Sequence, residues 1–79
     1  MPLKVLLAAN LRKYVPGYDA ATGHALEVLS PVTVRELSER LGIPHEEVKL
    51  IMVNGVSADW DTRLMGDERL ALFPPVGGG

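Results

Sequence analysis

The 79 residues are 47% hydrophobic and 23% charged, the composition of one soluble globular domain with room for a single core. Lys and Arg number 8 against 10 Asp and Glu, and the net charge of -2 gives no general electrostatic reason to hold nucleic acid or an anionic membrane. Cysteine is absent, which excludes disulfides, cysteine-ligated zinc, thiol nucleophiles and thioesters on this chain's own side chains.

The first segment, Leu3 to Ala8, is apolar and bounded by Asn10. Its length favours a strand, with Leu3, Val5 and Leu7 on one face and Leu6 on the other. The stretch Val5–Ala9 is too short to cross a membrane and no signal-peptide pattern surrounds it, so a cytoplasmic protein without a membrane partner is expected. Residues 10–24 read as a long hairpin loop built on Pro16-Gly17, Asp19 and Thr22-Gly23. The loop holds Arg12, Lys13, Tyr14 and Tyr18, but two basic residues on an acidic domain make a poor nucleic-acid site. Ala25 to Leu29 reads as a second strand with Leu26 and Val28 toward the core, and Ser30-Pro31 ends it.

Thr33-Val34-Arg35-Glu36 fits a capping box, in which the Thr33 hydroxyl accepts from the Glu36 N–H and the Glu36 carboxylate accepts from the Thr33 N–H. Val34, Leu37 and Leu41 then recur on one helical stripe, with Arg35, Glu36, Ser38, Glu39 and Arg40 assigned to water. Gly42 and Pro44 end this helix. Val48 to Val53 is nearly all apolar and reads as an interior strand. Asn54-Gly55 is a hairpin turn, because both residues tolerate positive φ, and Val56 to Ala58 returns as a short strand. Residues 59–68 form a polar connection around Trp60 and Leu64. Arg69 to Phe73 is the last strand, with Leu70 and Leu72 on one face, and Pro74-Pro75 stops it. One helix crossing a mixed sheet of four to five strands is an α+β, β-grasp or ubiquitin-like arrangement; another small α+β roll is the competitor.

By alternation Phe73 leaves the core face, and so does Leu6. With the first and last strands side by side these two are expected to form one apolar patch, unless Tyr14 or Trp60 covers them. No nucleophile–base pair is visible, His24 and His45 stand alone, and the acids Glu46, Glu47, Asp59, Asp61, Asp67 and Glu68 read as a solvated edge, so no metal site is assigned. What remains is the ending Gly77-Gly78-Gly79. A glycine-rich end can be a frayed tail, yet it can also thread bare backbone down a narrow enzyme channel. From Pro74 the tail could reach ~20 Å when extended, with Pro74-Pro75 stiffening its base.

Ile51-Met52-Val53-Asn54-Gly55, Leu64-Met65-Gly66-Asp67-Glu68 and Leu72-Phe73-Pro74-Pro75-Val76-Gly77-Gly78-Gly79 together resemble the MoaD/ThiS family of ubiquitin-like sulfur carriers over nearly the whole chain. The ending is most similar to molybdopterin synthase small subunits, whereas Trp60 after the Asn-Gly turn is similar to thiamine-pathway carriers. The resemblance implies a β-grasp domain over residues 1–75 and a flexible Gly-rich tail over 76–79. It implies a sulfur-donating carrier and not a catalyst. The carboxylate of Gly79, with Gly78 before it, is adenylated by an E1-like activating enzyme that uses ATP. A sulfurtransferase or desulfurase then supplies sulfur, leaving a terminal thiocarboxylate and no bound cofactor. In the molybdopterin branch the tail enters the synthase large subunit and gives sulfur to a pterin precursor of the molybdenum or tungsten cofactor. Leu6, Phe73, Pro74, Pro75, Val76 and Gly77 are the expected partner-binding residues. Three alternatives stay open: carriage to thiamine, cysteine or transfer-RNA thiolation, a ubiquitin-like modifier conjugated through Gly79, and an interaction module with an inert glycine tail.

Overall fold

The computed structural model describes residues 3–19, 21–28 and 31–75. Strand β1 (Leu3–Leu7) alternates as its sequence requires, with Leu3, Val5 and Leu7 in the core and Lys4 exposed. It pairs antiparallel with β2 (His24–Leu26), Leu3 opposite Leu26 and Val5 opposite His24. Among the described residues this strand is shorter than the expected 25–29 and starts one residue earlier. Leu26 and Val28 pack against the core as expected; Leu29 lies outside the described residues.

The connection from β1 to β2 is not a plain loop. Ala9–Tyr14 forms a 3-10 helix, and Leu11 and Val15 are buried in the core. The end of β1 pins it: the Leu7 N–H donates to the Tyr18 hydroxyl at 2.8 Å, and Arg12 Nε donates to the Leu7 carbonyl at 3.1 Å. Arg12 and Tyr18 are therefore occupied in holding the chain against the sheet.

Helix α1 (Val34–Leu41) starts at the predicted capping box, both halves of which form: Glu36 N–H to Thr33 Oγ1 at 3.1 Å and Thr33 N–H to Glu36 Oε1 at 2.9 Å. It stops at Gly42 in the left-handed conformation, φ 77°. Val34 and Leu37 point into the core. Ser38, expected to face water, is fully buried; its hydroxyl donates to the Ile43 carbonyl at 2.8 Å, closing the helix end where Gly42 turns the chain. Thr33→Ala should cost about 1 kcal/mol, the usual loss for an N-cap. An unchanged urea midpoint in that variant would contradict the role given to the cap.

Two short strands have no counterpart in the sequence reading. Just before α1, β3 (Val32–Thr33) pairs antiparallel with β6 (Arg63–Leu64), inside the stretch read as a polar connection, and Leu64 is fully buried. Two residues are too few to show a period. After a 3-10 turn at His45–Glu47 come β4 (Leu50–Val53), the Asn54-Gly55 turn with φ 52° and 81°, and β5 (Val56–Ala58). Asn54 also ties the turn to the last strand, its Oδ1 accepting from the Arg69 N–H at 2.9 Å. That strand, β7 (Arg69–Phe73), runs parallel to β1 and antiparallel to β4, so the five-stranded sheet has the order β2-β1-β7-β4-β5. One helix packed across a mixed sheet whose first and last strands are central and parallel is the β-grasp fold.

Three carboxyls are held below their ordinary range. The Thr33 N–H and hydroxyl lower Glu36, and the Ala21 N–H with Thr22 lowers Asp19. Partial burial pushes Glu68 up, but the N–H groups of Met65, Gly66 and Asp67 outweigh it and the net direction is down. A carboxyl lowered on folding adds stability that is fully present above its unfolded pKa and lost as pH falls through the folded one. The melting temperature should therefore be level from neutral pH down to about 5 and fall below about 4.5. A Glu36→Gln/Glu68→Gln variant should melt lower at pH 7 and fall less in acid; an undiminished fall would place the acid sensitivity elsewhere.

Candidate functional site

The register of the sheet fixes what its outward face carries. The core side holds Leu3, Val5, Leu7, Ile51, Leu70 and Leu72, against which Val34 and Leu37 of α1 pack. The alternate positions face away from the helix. Across the middle of that outward face run Leu6 of β1, Ala71 of β7 and Met52 of β4, each opposite the next. In the following row Phe73 stands opposite Leu50. Leu50 is 42% exposed, and Leu6, Met52, Ala71 and Phe73 are half-buried. This is a continuous apolar surface at the C-terminal end of β7.

The sequence-predicted pair is thus on one face, though not in direct register. Leu6 faces Ala71, two residues before Phe73, and the two join through it. Tyr14 and Trp60, the residues that offered to cover them, pack against the core cluster. The Trp60 ring stacks on His45 at 4.3 Å, and the Tyr14 hydroxyl donates to Glu47 at 3.4 Å. Sequence reasoning missed Leu50 and Met52. Their signal was present: a strand apolar at every position, in a sheet with only one helix to cover it, must show half of its apolar residues outward.

Pro74 is half-buried and Pro75 exposed, directly beyond the apolar rows. Val76, Gly77, Gly78 and Gly79 lie outside the described residues. Pro74 and Pro75 continue from a central strand beside the apolar face, and the Lys49 N–H donates to the Phe73 carbonyl at 2.8 Å just before them. His24 lies in register with Val5 on the edge strand β2, separated from the strand of Phe73 by β1, and His45 is engaged with Trp60. Among the described residues no three His, Cys, Asp or Glu side chains are grouped to hold a metal ion, and no helix is long and apolar enough to cross a membrane.

An apolar face of this size, with Pro74 and Pro75 at its rim, is suited to docking another protein. The family described as Mut7-C ubiquitin matches over residues 2–77. Among solved structures, a chain from Pyrococcus furiosus assigned as molybdopterin converting factor, subunit 1 is 26% identical, with 96% of this chain and 99% of that one covered and a TM-score of 0.67. No curated protein matches it significantly.

Proposed function

We propose that this chain, which belongs to the Mut7-C ubiquitin family and is a MoaD/ThiS-like, ubiquitin-like protein, carries sulfur on a C-terminal thiocarboxylate and delivers it in molybdopterin synthesis. The observation that carries the reading is an apolar sheet face beside the central strand that ends at Pro74-Pro75, the point from which the sequence runs on as Val76-Gly77-Gly78-Gly79, in a cysteine-free domain similar over 96% of its length to the Pyrococcus chain.

The proposed chemistry belongs to the backbone end and to partners. A carboxylate oxygen of Gly79 attacks the α-phosphorus of ATP on an E1-like adenylating enzyme, expelling pyrophosphate and leaving an acyl-adenylate. A sulfurtransferase or desulfurase provides the sulfur that displaces AMP. The thiocarboxylate then enters the large subunit of a molybdopterin synthase and gives its sulfur to the pterin precursor. Cysteine on the carrier is unnecessary because sulfur rides on the main chain. The domain supplies position: Leu6, Leu50, Met52, Ala71 and Phe73 seat the partner, and Pro74 and Pro75 aim the tail.

The test is activation. With a cognate adenylating enzyme, the 79-residue chain should support ATP–pyrophosphate exchange, and the reaction should stop when Gly79 is removed. Exchange that ignores Gly79 would defeat the reading. A ladder of lysine conjugates in cell extract would instead favour a protein modifier.

A further inference from the structure

The outward positions of the five sheet strands carry two charged residues, Lys4 and Arg69, and no carboxylate. That is the reverse of the whole chain, in which acids outnumber bases by 10 to 8. The two cations are register partners on the parallel strands β1 and β7, and both are exposed. Neighbouring strands lie ~4.8 Å apart, so two cationic side chains rise from adjacent positions on one face. Such a pair weakens a sheet. Among the described residues neither cation is in an ion pair; the one ion pair there is Arg35–Asp61, from α1 to the turn after β5. The apolar rows begin at the next outward position, with Leu6 following Lys4 and Ala71 following Arg69.

We propose that Lys4 and Arg69 are the specificity-determining edge of the docking face, a paired cationic contact for carboxylates on the protein that adenylates this chain. The proposal rests on the carrier reading and adds to it the chemistry of the partner. A protein surface with acids beside an apolar centre matches both halves of the face; a nucleic acid would leave the apolar half unburied. The repulsion kept in the free domain is relieved when the partner's carboxylates arrive, so the same two residues weaken the fold and strengthen the complex.

The two roles separate in one experiment. Lys4→Glu, Arg69→Glu, the double variant and Arg40→Glu are assayed by thermal melting and by ATP–pyrophosphate exchange with the cognate adenylating enzyme at low and high salt. Arg40→Glu makes the same charge change on exposed α1. Each single reversal creates an opposite-charge pair and should melt about 2–4 °C above wild type. Each should also raise the KM for the chain about tenfold, with kcat unchanged and with the salt dependence of the wild type reduced. The double variant should melt near wild type and show the largest KM. Arg40→Glu should keep the wild-type KM. Unchanged KM and salt dependence in both single variants would overturn the proposal while leaving the carrier reading intact. A raised KM for ATP in place of the chain would assign the cations to a phosphate and also overturn it. If the wild-type chain supports no exchange at all, the carrier reading fails and this inference falls with it.

Discussion

Leu72→Ala and Phe73→Ala, one residue apart, are expected to give opposite results. Leu72 is fully buried in β7, between Leu7 of β1 and Ile51 of β4. Truncation there leaves a cavity in the middle of the sheet and should cost about 3 kcal/mol, within the range for buried Leu→Ala. For a domain of 79 residues that is a large share of the total stability. Phe73 turns to the other face and packs beside Leu50 on the outward surface. Its truncation should cost about 1 kcal/mol or less in stability, since the ring lies on the outward face and not in the core cluster. The loss should appear in partner association, by about tenfold, as for an aromatic anchor at the centre of an interface. Urea melts and the exchange KM read the two effects separately. A Phe73→Ala variant that unfolds as easily as Leu72→Ala would place the ring in the core, and one with the wild-type KM would remove the apolar face from the account.

The larger effect is expected at the tail. Adenylation requires a carboxylate oxygen in line with the α-phosphorus, and such geometry tolerates little displacement. Deleting Gly79 withdraws the carboxylate by ~3.5 Å, adding one alanine carries it past the phosphorus by as much, and Gly78→Val introduces a branched side chain where the channel takes bare backbone. Each variant should lose thiocarboxylate formation while melting like wild type. Substitution at Gly77, farther from the reacting end, should be tolerated better. Retention of activity by the alanine-extended chain would mean that the terminal carboxylate is not the reacting group.

Much of this was legible wherever the sequence carries a local, directional signal. The Thr33–Glu36 box, the Gly42 stop and the Asn54-Gly55 turn are set by neighbours in sequence and stand as expected. Alternation in Leu3–Leu7 and Arg69–Phe73 placed Leu6 and Phe73 on the outward face. What was not legible depends on residues far apart in the chain. Leu11 and Val15 looked like loop residues because a 3-10 helix of six residues gives no sustained period, yet both are buried in the core cluster. Ser38 looked solvent-facing because a hydroxyl usually is; only the chain reversal at Gly42 brings the Ile43 carbonyl within reach. The β3–β6 pair joins two-residue segments about thirty positions apart, and neither shows a pattern alone. The Lys4–Arg69 pair is invisible until β1 and β7 lie parallel in register.

The central claim is that Gly79 is the group that carries sulfur, and intact-mass spectrometry of the 79-residue chain tests it most directly. After incubation with ATP, the cognate adenylating enzyme and a sulfur donor, the chain should gain the mass of one oxygen exchanged for sulfur, and fragmentation should place that gain at Gly79. No gain, or the same gain in the chain extended by one alanine, would contradict the account.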